Sequence, residues 1–522
     1  MLIRKDKKAL IFKLRNPSRV TTVIPTAKLV AHEGDTLVAV PHRPEEVKVL
    51  RNLGFNPPDP MEYYYQWPGR FKPFAAQVET ANFLAMHDRA FCLNSMGLGK
   101  TVTSLWAYDY MRESKLVKKA LIVCPLSTME RTWADEVFKT FPHLNGAVLY
   151  GTRERRRKLL AQDADVYIIN TDGIKTIVED LAERDDIDLV IVDELAMFRN
   201  SGTDRWKTLN TICNKQTPRR VWGLTGAPTP HEPTDAWAQC RIVVPTSPAV
   251  PKYFGKFRDM VMKQITQFKW SPRADAVDTV KAIMQPAVRF ALDDCIDLPE
   301  QTFVTRDVEM TTEQKTAYKN MLDKLKMEYE GGQVLAVNEA VKANKLVQIA
   351  CGVAYGAQGE YIHIPNKPRI DVLKELIEES EGKVLVFVPL TGVLEHLIDE
   401  LSPHWECAAI HGGTSKTDRD EIFGTFQKTN RIRVIVANPS TMSHGLTLTA
   451  ATTIIWYAPI HSNDVYEQAC ARVRRPGQTR TTVIAHIAGS DVERRIYKRL
   501  QGKQRLQGTL LDIMKGIGDD ES

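Results

Sequence analysis

A glycine-rich turn between an apolar run and a helix-like run constrains the fold of this chain more than any other feature. Residues 90–93 are apolar, residues 94–101 read Asn-Ser-Met-Gly-Leu-Gly-Lys-Thr, and residues 102–111 have a helical pattern. A strand, a glycine turn and a helix N-terminus form a phosphate cradle, because glycines let backbone N–H groups converge on phosphate oxygens. The pattern predicts that Lys100 contacts the β- and γ-phosphates of a nucleotide and that the Thr101 hydroxyl holds Mg²⁺.

The composition indicates a soluble globular chain with several structural units. The chain has 522 residues, of which 43% are hydrophobic and 26% charged, and its net charge of +6 permits a polyanionic partner without requiring one. Eight cysteines occur without a Cys-x-x-Cys pair, so we expect buried free thiols in a reducing cytoplasm rather than zinc ligands. No apolar run is long enough for a signal peptide or a membrane span, so we expect no membrane contact.

The order of apolar runs predicts an α/β fold with two parallel-sheet domains. Residues 1–70 read as a small α+β domain and linker, with β-type runs at 9–14, 20–24 and 36–40 and a helix over 44–53. Strand and helix patterns then alternate in segments 71–245 and 366–490, which is typical of a parallel sheet. The predicted strands are 121–124, Val166–Asn170, 189–192, 221–224, 384–388, 408–411, Val434–Ala437 and 453–457.

Two further regions differ from this alternation. Segment 246–365 reads as mainly helical, with helices predicted at Thr312–Glu330 and 333–350, and segment 491–522 opens with a basic amphipathic helix. An aromatic cluster near the first boundary predicts packing between domains, with base stacking as the alternative. The cluster consists of Tyr63, Tyr64, Tyr65 and Trp67.

Two carboxylates at the end of an apolar strand support the nucleotide site. The glycine turn alone leaves a purely structural turn as an alternative, because Asn94 stands where the full phosphate-loop pattern has another glycine. Residues 189–192 are apolar and lead directly into Asp193 and Glu194. Such a pair lets one carboxylate hold Mg²⁺ and the other polarise the attacking water. We assign Asp193 to the metal and Glu194 to the water, against the alternative of an acidic turn.

A second cationic motif lies near the C-terminus. Arg472 and Arg475 are three residues apart within segment 468–478, which ends in Pro-Gly-Gln. We expect both guanidinium groups on one helix face, an arrangement that suits a transferring γ-phosphate. A solvated basic helix is the alternative.

From about residue 71 to the C-terminus, the chain resembles the Swi/Snf-type ATPases of helicase superfamily 2, and most of all their short bacterial and phage members. Residues 74–77 resemble the Gln motif, 96–101 motif I, 122–127 with Trp133 and Phe138 motif Ia, and 193–196 motif II. Residues 224–228 with 235–237 resemble motif III, 443–448 motif V, and 468–478 motif VI. Two departures are Ala196, where motif II normally has His, and Asn94-Ser95, where an acidic pair is usual.

The resemblance implies two RecA-like domains that bind ATP and Mg²⁺ between them, with a helical insertion at 246–365 and a C-terminal brace helix from 491. The implied catalytic residues are Lys100, Glu194, Arg472 and Arg475, the two arginines acting as fingers. The implied metal ligands are Thr101 and Asp193. The implied nucleotide-binding residues are Gln77, Met96, Gly97, Leu98, Gly99, Lys100, Thr101, Gly445, Arg472 and Arg475.

The resemblance also implies that loops after the strands grip a DNA backbone. Hydroxyl and backbone N–H groups there would position phosphates without reading sequence. A basic run at 153–158 is either a solvated helix face or a further DNA contact. The expected contact residues are Ser127, Thr128, Thr171, His411, Gly412, Ser440 and Thr441.

These features predict a DNA-dependent ATPase that translocates on double-stranded DNA. We expect a monomer in the cytoplasm of a bacterial or phage-infected cell, making mostly backbone contacts to duplex DNA, with a protein on the DNA as a possible partner. The alternatives are a strand-separating or annealing helicase, an ATP-dependent clamp without motor activity, and a remodeller that strips a protein such as RNA polymerase from DNA.

Overall fold

The computed structural model of this protein describes residues 1–32, 35–214, 219–230, 232–267, 269–330, 336–355, 361–442 and 447–502. Within these residues the chain forms two compact units, Met1–Cys295 and Ile296–Ser522. The predicted α/β fold with two parallel-sheet domains and a small N-terminal α+β domain is confirmed by the sheets described below. The domain boundaries drawn from the sequence remain predictions.

The N-terminal part of the first unit is a four-stranded antiparallel sheet in the order β1-β2-β4-β3, packed against helix α2. The prediction of a strand at 20–24 is wrong, because helix α1 occupies this position. Val20 and Ile24 are four residues apart and both are buried, so one helical turn directs them into the same core. The elements are β1 Leu2–Arg4, β2 Ala9–Lys13, α1 Ser18–Thr21, β3 Lys28–His32, β4 Asp35–Pro41, α2 Pro44–Asn52 and α3 Pro60–Tyr64.

The main sheet of the first unit has seven parallel strands in the order β13-β5-β10-β9-β6-β8-β7. Its elements begin with α4 Ala75–Met86, β5 Arg89–Cys92, α5 Lys100–Glu113, β6 Lys119–Cys124, α6 Asp135–Thr140, β7 Gly146–Val148, α7 Arg153–Leu160 and β8 Val166–Asn170. They continue with α8 Val178–Glu183, β9 Ile187–Asp193, α9 Asp204–Asn214, β10 Arg220–Leu224 and α10 Asp235–Val243.

Helices cover both faces of this sheet, which explains why its strands read as continuous apolar runs. In β9, Val190 and Val192 belong to one hydrophobic cluster, whereas Leu189 and Ile191 belong to the cluster on the other face. All four side chains are fully buried. Because the strands are parallel, their carboxyl ends meet at one edge of the sheet, where ligands bind in such folds.

The segment after α10 contains helices and also strands. Its elements are α11 Phe254–Val261, β11 Met262–Thr266, β12 Lys269–Pro272, α12 Ala276–Ile283, β13 Ala287–Val288 and α13 Leu292–Cys295. Strands β11 and β12 form a separate antiparallel hairpin, whereas β13 pairs with β5 in the main sheet. The sequence pattern did not reveal β13, because two residues are too short for a periodic signal.

The second unit is built on six parallel strands in the order β14-β21-β20-β17-β19-β18, with a small antiparallel pair of β15 and β16. Its elements begin with β14 Gln301–Asp307, α14 Thr312–Glu330, α15 Ala336–Ala350, β15 Val353–Tyr355, β16 Tyr361–His363, α16 Lys367–Glu379 and β17 Lys383–Phe387. They continue with α17 Thr391–Leu401, β18 Cys407–Ile410, α18 Lys416–Lys428, β19 Val434–Ala437, β20 Ala451–Trp456, α19 Asn463–Cys470, β21 Thr482–Ala488 and α20 Asp491–Gln501.

The amphipathic helix predicted at the C-terminus is α20, and it packs into the core of the second unit. Val492, Ile496 and Leu500 follow one another at four-residue intervals and are buried. Arg494, on another side of the helix, pairs with Asp307 at 2.8 Å. The basic segment continues in the sequence with Lys503 and Arg505, which lie outside the described residues.

A buried ion pair joins α20 to α16. Arg369 Nη2 lies 2.7 Å from Glu493 Oε1, and the two side chains are 2% and 0% exposed. The guanidinium also donates to the carbonyls of Tyr457 and Ile487, and Glu493 Oε2 accepts from the Gly489 N–H and the Ser490 hydroxyl. The desolvation of both charges is therefore offset by a complete set of partners.

We predict that Glu493→Gln lowers the free energy of unfolding by about 3–5 kcal/mol, because it leaves the Arg369 guanidinium buried without a counter-charge. Urea denaturation measures the change. The control is Glu379→Gln, which breaks the ion pair between Arg306 and Glu379. The two charged groups are also 2.7 Å apart, but their side chains are 45% and 56% exposed. That change should cost about 1 kcal/mol or less. Equal losses in the two variants would contradict the role of the buried pair.

Candidate nucleotide-hydrolysis site

The glycine turn of the first unit has the backbone geometry of a phosphate-binding loop. Gly97 and Gly99 have φ angles of +89° and +69°, in the left-handed region that favours glycine. Helix α5 begins at Lys100, directly after the turn. Lys100 Nζ donates to the carbonyl of Asn94 at 2.9 Å and to that of Ser95 at 3.3 Å, so the lysine folds back over the loop.

Gln77, which the resemblance places among the nucleotide-binding residues, contacts this loop through its side chain. Its Nε2 donates to the Leu98 carbonyl at 3.2 Å, and its Oε1 accepts from the Phe74 N–H at 3.3 Å. A Cβ atom on Gly99 would lie only 2.6 Å from Gln77 Nε2, so the approach requires glycine. The nucleotide-binding role of Gln77 remains a prediction.

Asn94, the departure from the usual pattern, closes the start of the loop. Its side chain is 2% exposed. Its Nδ2 donates to Thr80 Oγ1 at 2.8 Å, and its Oδ1 accepts from the Phe290 N–H at 2.9 Å. A glycine here could form neither bond. Sequence reasoning could not find this role, because Phe290 is 196 residues away along the chain.

Asp193 and Glu194 lie where β9 ends. Asp193 Oδ1 accepts from the Glu194 N–H at 3.1 Å, and Oδ2 accepts from Trp133 Nε1 at 2.9 Å. Burial raises the pKa of Asp193, while the Trp133 N–H and the charge of Lys100 act against that rise. Glu194 has a φ of +49°, which is costly for a residue with a Cβ and is typical of functional sites.

Trp133 is a site residue whose role the sequence did not reveal. It was named only as part of a motif, yet its fully buried indole binds the carboxylate of Asp193. It lies in a π-helical turn, Met129–Ala134, and such turns occur frequently at functional sites. The short 3-10 turn Leu126–Thr128, which contains two expected DNA contacts, directly precedes it.

The loop after β10 packs against the glycine turn. The Thr225 N–H donates to the Cys92 carbonyl at 3.0 Å. A Cβ atom on Gly226 would lie 3.3 Å from Met96 Cγ and 3.5 Å from the Asn94 carbonyl oxygen. Ala196, which replaces the usual His of motif II, is buried, and its carbonyl accepts from Arg199.

The residues at this edge fit a nucleotide with a divalent cation. The Asp193 carboxylate and the Thr101 hydroxyl are hard oxygen donors of the kind Mg²⁺ prefers. The glycine turn and the N-terminus of α5 offer backbone N–H groups to phosphates, and Lys100 adds a positive charge. Asp193, Thr101 and Lys100 are thus the residues that could hold Mg²⁺ and the terminal phosphates.

The arginine motif of the second unit lies after a helix and not on one. Helix α19 ends at Cys470, and residues 471–475 form turns, so the prediction of a shared helix face is wrong. Arg472 is buried, and its carbonyl accepts from the Leu448 N–H at 2.9 Å. Arg475 Nε donates to the Ala471 carbonyl at 2.8 Å. Burial lowers the pKa of Arg475 to about 10, so it stays charged at neutral pH.

The buried side chain of Gln478 holds this arginine turn in place through hydrogen bonds. Its Nε2 donates to the carbonyls of Thr449, Ala451 and Val473 at 3.0–3.3 Å. Gly477, just before it, has a φ of +98° and lets the chain reverse. These contacts hold the arginine turn against the segment that leads into β20.

The expected DNA contacts differ in exposure. In the first unit Ser127 is exposed, whereas Thr128 and Thr171 are buried, and Thr128 Oγ1 donates to the Pro125 carbonyl. In the second unit the contacts follow two neighbouring parallel strands, β18 and β19. His411 and Thr441 are partly exposed, and Gly412 and Ser440 are exposed. Gly445, expected to bind nucleotide, lies outside the described residues.

The chain contains two α/β units, each built on a parallel sheet. The first unit has a phosphate loop beside carboxylates at a strand end, and this combination defines a nucleotide hydrolase of the phosphate-loop class. Residues 77–351 match the family model described as the SNF2-related domain, and residues 368–477 match the helicase conserved C-terminal domain. The chain belongs to the SNF2-related family. It is therefore an ATP hydrolase of helicase superfamily 2, and the resemblance drawn from the motifs is confirmed.

Two relatives of similar sequence identity differ in the share of their own length that matches this chain. It is 26% identical to the protein p41 of Acyrthosiphon pisum secondary endosymbiont phage 1, over 85% of this chain and 99% of that protein. It is 24% identical to the ISWI chromatin-remodeling complex ATPase ISW1 of Saccharomyces cerevisiae, over 84% of this chain. The chain spans 40% of the length of that yeast ATPase.

Among solved structures, the Sulfolobus solfataricus SWI2/SNF2 ATPase core in complex with dsDNA is similar at 21% identity. The match covers 86% of this chain and 94% of that one, with a TM-score of 0.42. Over the part of the chain that the structure describes, no helix has the length and apolar character needed to span a membrane.

We predict that Trp133→Phe weakens ATP binding in the presence of Mg²⁺ roughly tenfold, because a hydrogen bond to a charged group contributes about 1.5–3 kcal/mol. Binding without Mg²⁺ should change little. Titration calorimetry in a Glu194→Gln background, with and without Mg²⁺, measures both affinities without turnover.

The matched control is Trp222→Phe. Trp222 is also fully buried in the first unit, and its Nε1 donates to the His87 carbonyl at 2.9 Å, away from Asp193. This variant should keep the Mg²⁺ dependence of the native protein. If both variants lose the same affinity, Trp133 acts only through packing.

Proposed function

We propose that this protein is a DNA-dependent ATPase that translocates on double-stranded DNA and remodels DNA or protein–DNA complexes. The observation that carries the proposal is the hydrogen bond from Trp133 to Asp193. It joins the carboxylate of the hydrolysis site to the turn that follows the exposed Ser127. Trp133 thus connects the proposed hydrolysis residue Asp193 to the turn that we propose contacts DNA.

A few side chains carry out the proposed hydrolysis of ATP. Lys100 binds the terminal phosphates, and the N–H groups of the glycine turn neutralise their charge. Thr101 and Asp193 hold Mg²⁺, which, when bound, neutralises charge on the phosphate oxygens. Glu194 orients the attacking water and accepts its proton. Arg472 and Arg475 stabilise charge that develops on the transferring phosphate.

The DNA partner is proposed to be duplex and to be held by its backbone. The contact residues expected from the sequence lie in loops after strands, and hydroxyl and N–H groups there position phosphates without reading bases. Ser127, Gly412 and Ser440 are exposed for this role. We place the protein as a monomer in the cytoplasm of a bacterial or phage-infected cell, acting on DNA that carries a bound protein.

We predict that duplex DNA stimulates ATP hydrolysis and that Glu194→Gln removes turnover while ATP binding remains. The amide cannot accept the proton of the attacking water, but the Asp193 carboxylate and the phosphate loop are unchanged. The ATPase rate with duplex DNA, single-stranded DNA and RNA, together with nucleotide affinity, tests this. An active Glu194→Gln enzyme would refute the role of Glu194, and a rate indifferent to DNA would refute DNA dependence.

Translocation without strand separation makes a separate prediction. A motor that tracks an intact duplex should displace the third strand of a triplex, because that strand lies on the outside of its track. It should fail to open a forked duplex of similar length. Both substrates can be run in one assay with ATP, with Glu194→Gln as the inactive control. Efficient opening of the fork while the triplex survives would favour the helicase alternative.

A further inference from the structure

The hairpin of β11 and β12 projects from the first unit as a separate two-stranded sheet. Residues 263–266 are all exposed, so both faces of β11 meet solvent. Ile265 at its end is 54% exposed. An isolated two-stranded hairpin is marginal in water, so its conformation depends on how its base is held.

The base of the hairpin is anchored firmly. Val261 and Met262 are buried in the core of the unit. The guanidinium of Arg258 lies 4.0 Å from the ring centroid of Trp270. Arg273 Nε donates to the carbonyls of Asp259 and Met262 at 3.0 and 3.2 Å. The protein thus presents an exposed strand in a fixed position.

The hairpin and the helix before it concentrate positive charge. Residues 252–273 contain six Lys or Arg and one acidic residue, although the whole chain of 522 residues carries a net charge of only +6. Lys252, Lys256 and Lys263 are exposed, and Tyr253 between the first two is 66% exposed. We call residues 252–267 and 270–273 the basic hairpin surface.

We propose that the basic hairpin surface is a nucleic-acid contact that binds the phosphate backbone of duplex DNA. The inference rests on the proposed function and adds a contact site that none of the motif loops contains. Three exposed lysines supply the charge, and the amide of Gln264 and the hydroxyl of Thr266 are donors of the type that contact phosphates.

The chemistry of the surface favours a polyanion over a protein partner. The buried cores of protein–protein interfaces contain few lysines, whereas lysine is a common contact to the phosphates of DNA. Here Lys252 and Lys256 lie on either side of the exposed Tyr253, and Lys263 lies in the exposed strand β11. Asp259 is the one acidic residue in this segment of the sequence. A docking site for a protein would need a contiguous apolar patch, whereas the exposed Phe254, Met260 and Ile265 are interspersed along the chain with charged and polar residues.

The experiment compares a triple variant, Lys252→Gln, Lys256→Gln and Lys263→Gln, with the native protein. Affinity for labelled duplexes of scrambled sequence is measured by fluorescence anisotropy across a salt series. Each lost phosphate contact should reduce the slope of log affinity against log salt by about 0.9, so the triple variant should lose about 2–3 from the slope. Hydrolysis without DNA should be unchanged.

The matched control removes three exposed lysines elsewhere in the unit, by Lys28→Gln, Lys118→Gln and Lys207→Gln. It makes the same change in net charge and should keep the native slope apart from a small, general electrostatic loss. Thermal denaturation verifies that both triple variants are folded.

The outcomes separate this proposal from the proposed function. If the native protein binds duplex DNA and the Lys252/Lys256/Lys263 variant keeps the native slope, the hairpin proposal is overturned and DNA dependence stands. An equal loss in the control variant overturns it as well, because the effect is then one of net charge. If the native protein does not bind duplex DNA, both proposals fail.

Discussion

Parallel strand pairing is the constraint on which the hydrolysis site depends. Strand β5 lies between β13 and β10, and the ladder of backbone hydrogen bonds continues past its end into the loop. The Leu93 N–H donates to the Val288 carbonyl at 2.8 Å, and the Ser95 N–H donates to the Phe290 carbonyl at 2.9 Å. The Thr225 N–H donates to the Cys92 carbonyl on the other side. The phosphate loop is therefore positioned by two neighbouring strands before any side chain contributes.

Buried charge is handled in the same way in both units, through complete sets of hydrogen-bond partners. The Asp193 carboxylate receives N–H groups on both oxygens, and the ion pair of Arg369 and Glu493 is surrounded by backbone carbonyls and donors. Asp193 lies at a strand end and is 9% exposed, and the neighbouring Glu194 carries backbone strain. The ion pair lies in a closed core and joins two helices. Similar physical chemistry thus serves a reactive site in one place and packing in the other.

Local sequence patterns, such as runs of apolar residues, predicted much of the fold. The strands Val166–Asn170 and Val434–Ala437 were predicted with their observed bounds, because a buried parallel strand leaves a continuous apolar run. Two predictions failed where local patterns compete. Residues 20–24 have a β-type composition but form a helical turn, and residues 471–475 lie after the end of α19 in a turn whose Val473 carbonyl accepts from Gln478. The hairpin of β11 and β12 was not predicted either.

The sequence by itself determined the family, most of the parallel strands and the residue types of the candidate hydrolysis site, because each is written in contiguous residues. The tertiary structure alone decided which distant groups complete that site. Trp133 meets Asp193 across 60 residues, and Asn94 meets Phe290 across 196. A hydrogen bond depends on two atoms coming within about 3 Å, and chain folding, rather than spacing along the sequence, brings them there.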